Sequence, residues 1–157
     1  MLEAASMQAL AHGSDSVLYF QIRQSQGSFE KFHGAVIDHY GGTDTRVFQE
    51  VKKTGADLEK LNELSGSNVA ARVAVIYEWE NRWAMENAAG PRNKNLYYKE
   101  TVEKSYSAFR KYGLDVDVID MEQSLEGYQA VAVPMLYMFR AGFEQKVREF
   151  VAGGGIL

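Results

Sequence analysis

Polar side chains are concentrated between Gln21 and His33, and this is the first segment whose residue types could do chemistry. It directly follows a candidate strand at residues 16–22, and ligands of α/β proteins bind at the carboxyl ends of strands. Glu30 and His33 are three residues apart, so a helical turn would project both side chains the same way. A carboxylate and an imidazole together could hold sugar hydroxyls or a metal ion. On spacing alone, a solvated loop with ordinary charges is the favoured alternative.

A second cluster, residues 78–83, contains both tryptophans of the chain, Trp79 and Trp83. Tryptophan can cover a sugar ring, and tryptophan and arginine are also enriched at protein interfaces. Glu78 and Glu80 share a face if the segment is extended, and they could then form the carboxylate pair of a hydrolase. That role requires surroundings that push the two pKa values apart. Interface or loop packing is therefore the favoured interpretation of this cluster.

Composition narrows the possible functions of the chain. Its 157 residues are 46% hydrophobic and 24% charged, which is typical of a globular protein. The net charge of -4 gives no electrostatic reason to expect nucleic acid or a membrane as partner. The sequence contains no cysteine, which excludes disulfides and thiolate chemistry and is compatible with the reducing cytoplasm, our predicted location.

Several site motifs are missing from the sequence. There is no glycine-rich nucleotide-binding pattern and no Gly-x-Ser-x-Gly nucleophile elbow. The three histidines, His12, His33 and His39, lack the spacing of a zinc protease, and His39 is interpreted as a loop histidine. We therefore predict neither a cofactor nor a metal site.

The predicted elements fall into two groups. The first has a helix ended by Gly13, the strand at 16–22, a loop over 23–42 and a helix that Thr43 or Asp44 would cap and that runs to Leu64. After a linker at 65–68, branched and aromatic residues predict parallel strands with helices on their faces. The strands of this second group are expected at 72–77, 115–119 and 128–133, the loop at 87–95, and the helices at 98–112 and 143–151.

Both termini interrupt an element, so we expect the chain to be a piece of a longer protein. The boundary near the linker predicts one unit at residues 1–66 and another at residues 67–157. The second unit is expected to be incomplete at its carboxyl end, where a further strand would begin.

Three stretches of the sequence resemble the β-galactosidases of glycoside hydrolase family 42. The first covers residues 8–21, 23–25 and 27–35, with Gly27-Ser-Phe-Glu-Lys-Phe-His-Gly-Ala35 at its end. The others are Tyr77-Glu-Trp-Glu-Asn81 with Trp83-Ala-Met-Glu86, and Val133-Pro-Met-Leu-Tyr137. The resemblance extends over the whole chain.

The resemblance implies a retaining enzyme that hydrolyses terminal β-D-galactosides through two glutamates. It implies that residues 1–66 are the last part of a (β/α)8 barrel. Residues 67–157 would be an amidotransferase-like, flavodoxin-like α/β/α trimerisation domain with a mainly parallel sheet. The partners would be a galactoside and further copies of the chain, with a trimer in the family.

By the same resemblance, Glu30 and His33 match the galactose-binding pair after the eighth barrel strand. The two catalytic glutamates match no residue of this chain, so no catalytic residue is assigned and the isolated chain is predicted to be inactive. The family often has tryptophan at the position of Ile22 and an aromatic residue at that of Arg82. These departures affect the packing beneath the loop and the detail of the subunit contact. The alternative function is a non-catalytic α/β oligomerisation or interaction module.

Overall fold

The computed structural model describes residues 1–92 and 94–157, and the part of the predicted 87–95 loop at Asn93 lies outside them. The chain forms two compact units, Met1–Asn68 and Val69–Leu157. The first unit contains two α-helices and two short 3₁₀ helices, and the described residues of the second contain three α-helices and three strands. In chain order the α-helices and strands are α1 Leu2–Ala11, α2 Arg46–Lys60, β1 Val73–Ile76, α3 Trp79–Asn87, α4 Tyr98–Arg110, β2 Val116–Ile119, β3 Ala130–Ala132 and α5 Phe143–Ala152.

In the first unit, α1 packs on α2. The segment that follows α1 contacts α1 through a side-chain hydrogen bond. Ser6 and Thr54 are the buried polar residues of the two helices, and the Ser6 hydroxyl lies 2.6 Å from the Tyr19 hydroxyl. Glu3 of α1 forms an ion pair with Lys53 of α2. This pair is exposed, so it contributes little to stability and the buried contacts decide the arrangement.

The predicted strand at residues 16–22 is wrong for this structure, which has no strand in that segment. A strand is stabilised by ladder bonds to a neighbour, and within the described part of this unit the only bridge joins Arg23 to Ile37. The exposure of the side chains nevertheless alternates along this segment. Leu18 is 91% exposed and Phe20 is 69% exposed, whereas Tyr19 between them is half-buried.

The start of α2 also differs from the prediction. Thr45, and neither Thr43 nor Asp44, is the N-cap residue, and its hydroxyl accepts a hydrogen bond from the Phe48 amide at 3.3 Å. The helix ends at Lys60, and a short 3₁₀ helix at Asn62–Leu64 occupies the rest of the predicted span.

Because Thr45 is the N-cap residue, we expect substitutions of Thr45 and of Thr43 to change the stability by different amounts. Replacement Thr45→Ala should lower the free energy of unfolding by about 1 kcal/mol, because a helix N–H loses its acceptor. Replacement Thr43→Ala is the matched control and should change it by less than about 0.5 kcal/mol. Urea unfolding followed by circular dichroism measures both, and a larger loss for Thr43→Ala would contradict the assignment.

The second unit is a three-layer α/β/α arrangement, as the sequence predicts. Its sheet has the order β2-β1-β3, and both pairings are parallel. All four residues of β1 are buried, which explains the unbroken branched run in the sequence. The predicted further strand is represented by a parallel bridge from Ala130 to Ile156.

Two hydrophobic clusters cover the two faces of this sheet. Ala74 and Ile76 of β1 contribute to one cluster together with Phe143 of α5. Val75 contributes to the other, with Met85 of α3 and Val102 of α4. Side chains alternate along a strand, so the buried β1 joins both layers of helices and fixes the carboxyl edge of the sheet, where residue 78 follows.

Candidate functional site

A 3₁₀ turn at Phe29–Phe32 carries the candidate site of the first unit. The chain on either side of it is paired: the Val36 amide donates to the Gln21 carbonyl at 2.9 Å, and the Ile37 amide donates to the Ile22 carbonyl at 2.8 Å. The predicted 23–42 loop is therefore a closed loop around a short helical turn. These backbone bonds set where the turn lies relative to the extended segment before it.

The side chain of Gln24 stabilises the turn through hydrogen bonds to backbone groups of the loop. Its side-chain nitrogen donates to the Lys31 carbonyl at 2.8 Å, and its oxygen accepts from the His39 amide at 3.1 Å. The His39 ring nitrogen Nε2 also lies 3.1 Å from the Lys31 carbonyl. His39 is thus a loop histidine with a structural role, as interpreted from the sequence.

Glu30 and His33 lie on this one turn, as their three-residue spacing predicts. The His33 amide donates to the Glu30 carbonyl at 3.0 Å, and both side chains are exposed. Within residues 1–92 and 94–157, the two side chains form no hydrogen bond with each other. The carboxylate and the imidazole are therefore both accessible to an external polar molecule.

Two neighbours of this pair were not assigned a role from the sequence. The Phe20 ring stands edge-on to the His33 ring with centroids 6.1 Å apart, and the half-buried Ser25 hydroxyl lies 3.4 Å from Oε2 of Glu30. An exposed aromatic ring beside the imidazole offers an apolar surface next to a group that can bind hydroxyls. The signal available for Phe20 was its place in the branched and aromatic run at 16–22, which was interpreted only as a strand.

The described residues contain no group of three or more histidine, cysteine, aspartate or glutamate side chains placed to hold a metal ion. None of the described helices is long and apolar enough to cross a membrane.

The glutamate pair of the second unit is arranged differently from the extended segment considered above. Residue 78 is the N-cap of α3, and its side chain is buried, whereas Glu80 lies in the helix and is half exposed. Arg140 reaches both carboxylates, at 2.9 Å from Glu78 and 3.6 Å from Glu80. The hydrogen bond to Glu78 is the main reason that the pKa of the Arg140 guanidinium is raised. The pair is therefore occupied in an ion-pair cluster, which favours packing over hydrolysis.

A surface of aromatic residues lies on α3 and the end of β1; we call Tyr77, Trp79, Arg82 and Trp83 the α3 aromatic surface. The rings of Trp79 and Trp83 are 6.1 Å apart, and the Arg82 guanidinium lies 5.2 Å from the Trp79 ring. Both tryptophans remain more than half exposed. Exposed tryptophans beside an arginine are typical of protein interfaces.

Comparison with known proteins assigns both units. A family model described as the β-galactosidase trimerisation domain matches residues 71–157, and one described as β-galactosidase matches residues 1–61. The chain belongs to the β-galactosidases of glycoside hydrolase family 42. The resemblance inferred from residues 8–35, 77–86 and 133–137 is thereby confirmed.

Named relatives agree with the family. The chain is 54% identical over 152 residues to the β-galactosidase BglY of Alicyclobacillus acidocaldarius, covering 97% of this chain and 22% of that protein. It is 46% identical over 153 residues to GanA of Bacillus subtilis, covering 98% of this chain and 23% of that protein. The chain thus spans between a fifth and a quarter of the length of these curated relatives.

Solved structures of the family match the fold. A cold-adapted β-galactosidase from Rahnella gives a TM-score of 0.90 at 52% identity, over 99% of this chain and 23% of that one. A catalytic mutant of a family 42 β-galactosidase from G. stearothermophilus gives 0.92 at 46% identity, again over 99% and 23%. The family's α/β architecture is therefore present in this chain.

Proposed function

We propose that this chain is the part of a β-galactosidase that grips the galactose ring of the substrate and joins subunits. Glu30 accepts hydrogen bonds from sugar hydroxyls, and His33 donates to or accepts from a neighbouring hydroxyl. The observation that supports this most is the presence of both side chains, exposed and without a bond between them, on one turn. In this proposal, residues 1–66 belong to the catalytic barrel, residues 67–157 to the trimerisation domain, and the enzyme acts in the cytoplasm.

The bond-breaking step requires residues that this chain does not supply. A retaining glycosidase needs one carboxyl group as acid and base and a second as nucleophile, about 5–5.5 Å apart. By the resemblance to the family, the two catalytic glutamates match no residue of this chain, and Glu30 matches a sugar-binding position instead. The role of the chain is therefore to position substrate, with the two catalytic glutamates of the family contributed from outside these 157 residues.

Because the proposed catalytic glutamates lie outside this chain, we expect the isolated chain and the full-length protein to differ in turnover. The purified 157-residue chain should show no hydrolysis of nitrophenyl β-galactoside above background, whereas the full-length protein that carries it should hydrolyse this substrate. Removal of both carboxyl groups eliminates proton transfer and the covalent intermediate together. Turnover by the short chain that disappears in a Glu30→Ala variant would contradict the proposal.

The α3 aromatic surface is the proposed contact between copies in a homotrimer. This part of the proposal is supported by the match of residues 71–157 to a trimerisation domain and by the exposure of two large aromatic side chains at one place. A groove of about 580 Å³ borders the surface and is lined by Tyr77, Trp79, Arg82, Val102, Tyr106 and Val118 among others. An aromatic side chain from a second copy would bury this apolar lining.

The contact can be tested by weakening it. Replacement Trp83→Ala in the full-length protein should raise the dissociation constant of the oligomer about 30-fold, because a central tryptophan of an interface carries at least about 2 kcal/mol. Analytical ultracentrifugation over a concentration series measures the constant. Tyr112, which is 86% exposed after the end of α4, provides the control variant Tyr112→Ala. Equal effects of the two variants would contradict the proposed contact.

A further inference from the structure

Three side chains in the first unit touch in a row: Gln21, Ser25 and Glu30. The Ser25 hydroxyl lies 3.2 Å from the side-chain oxygen of Gln21 and 3.4 Å from Oε2 of Glu30. Ser25 is the donor in both contacts, yet a hydroxyl group has a single proton. With the Gln21 oxygen facing it, Ser25 can therefore satisfy only one of its two neighbours at a time.

The orientation of the Gln21 amide resolves this competition. Its nitrogen Nε2 is buried and has no hydrogen-bond partner among the described residues. A half-turn of the amide exchanges two groups of nearly equal shape and brings the N–H₂ group against the Ser25 oxygen. The carbonyl oxygen then occupies the partnerless position, which proteins tolerate better than an orphaned N–H. In this orientation Gln21 donates to Ser25, and the Ser25 proton is free to be donated to Glu30.

We propose that Gln21 and Ser25 form a directed hydrogen-bond chain that holds the Glu30 carboxylate in its sugar-binding position, with Ser25 as the positioning residue. This inference rests on the proposed function of Glu30. The glutamate side chain is exposed and has three rotatable bonds, so ordering it during sugar binding would cost affinity. A hydrogen bond to one carboxylate oxygen fixes the side chain beforehand and leaves the other oxygen for a sugar hydroxyl.

The turn itself does not depend on Ser25. Its backbone is fastened by Gln24, which bonds to the Lys31 carbonyl and to the His39 amide. The pairing of the Val36 and Ile37 amides with the chain before the turn is also independent of any side chain. Loss of the Ser25 hydroxyl should therefore release the carboxylate of Glu30 without unfolding the turn on which it lies.

A double-mutant cycle in the full-length protein tests the chain, with galactose as the probe and calorimetry as the measurement. Replacement Ser25→Ala should raise the dissociation constant for galactose about fivefold, because a charge-assisted hydrogen bond that orders the carboxylate is lost. Ser25→Thr keeps the hydroxyl and should restore affinity to within about twofold. In a Glu30→Ala background, Ser25→Ala should have no further effect, since a residue that acts only through another shows complete coupling. Ser67→Ala is the control for an exposed serine elsewhere in this unit.

The outcomes separate this inference from the proposed function. Unchanged affinity in Ser25→Ala, with a large loss in Glu30→Ala, would overturn the positioning role and leave the sugar-binding role of Glu30 standing. Equal losses for Ser25→Ala with and without Glu30 would also overturn it, because Ser25 would then act independently. Unchanged affinity in Glu30→Ala would contradict the proposed function and this inference together.

Discussion

Replacement Glu30→Ala in the full-length protein should lower kcat/KM for nitrophenyl β-galactoside about 100- to 1000-fold. The proposed carboxylate makes charge-assisted hydrogen bonds to sugar hydroxyls, each worth about 1.5–3 kcal/mol, and every 1.4 kcal/mol is a factor of ten. The variant leaves those hydroxyls without their charged acceptor. Steady-state kinetics over a range of substrate concentrations measure the effect.

The control for this prediction is another glutamate of the same unit. Glu59 is exposed on α2, and Glu59→Ala should change kcat/KM by less than about twofold, as expected for a surface substitution away from any site. Calorimetry of galactose binding distinguishes a loss of affinity for the sugar from a slower hydrolysis step. Equal kinetics in the Glu30 and Glu59 variants would show that the turn does not contact substrate.

Replacement Asn81→Ala should lower the free energy of unfolding of the second unit by about 3–4 kcal/mol, since it leaves several backbone groups without partners at about 1–3 kcal/mol each. Asn81 is fully buried on α3, and its side chain bonds to three backbone groups of one segment after β3. It donates to the Met135 carbonyl at 3.1 Å and accepts from the amides of Tyr137 and Met138 at 2.7 and 3.1 Å. Met135 has a φ of 49°, a conformation that costs a non-glycine residue energy and needs such support.

The same helix offers the control. Asn87 is exposed, and its amide donates only to the Trp83 carbonyl within α3, so Asn87→Ala should cost less than about 0.5 kcal/mol. Both tryptophans of the chain lie on α3, so their fluorescence during urea unfolding reports this unit. Equal urea midpoints for the two asparagine variants would contradict a stabilising role for the hydrogen bonds between Asn81 and the segment after β3.

The parallel sheet of the second unit could be predicted from the sequence because burial on both faces leaves a direct pattern. The four residues of β1 are apolar and buried, and the flanking helices α4 and α5 each show an apolar stripe in the sequence. Helix α3 was not predicted, because residues 78–83 were interpreted as interface or loop packing after a strand. The four-residue separation of Trp79 and Trp83 is a helical spacing and was the signal available for a better prediction.

The conformation of residues 16–22 could not be predicted correctly from these residues alone. Branched and aromatic residues favour a strand, but a strand also needs a neighbour that supplies the ladder bonds, and the described part of this unit offers only one bridge. Leu18 and Phe20 have the right residue types but remain exposed. The residue types of the segment favoured a strand and did not identify a partner for it.

The candidate site was only partly visible in the sequence. The spacing of Glu30 and His33 indicated that a helical turn, if one formed, would project both side chains the same way. The structure has a 3₁₀ turn at Phe29–Phe32, and the sugar-binding role of the pair stays a proposal. Ser25 could not be singled out, because one serine in a polar loop looks like any other. Asn81 was equally hidden, since an asparagine in an amphipathic helix is ordinarily at the surface. In both cases the role depends on residues that approach only after folding.

A crystal structure of the full-length protein with galactose bound is the most direct test of the central claim. We expect the carboxylate of Glu30 and the ring of His33 each to lie within about 2.6–3.2 Å of a hydroxyl of the same galactose molecule. A galactose molecule bound between the catalytic glutamates and touched by neither of these side chains would contradict the proposed role of the pair.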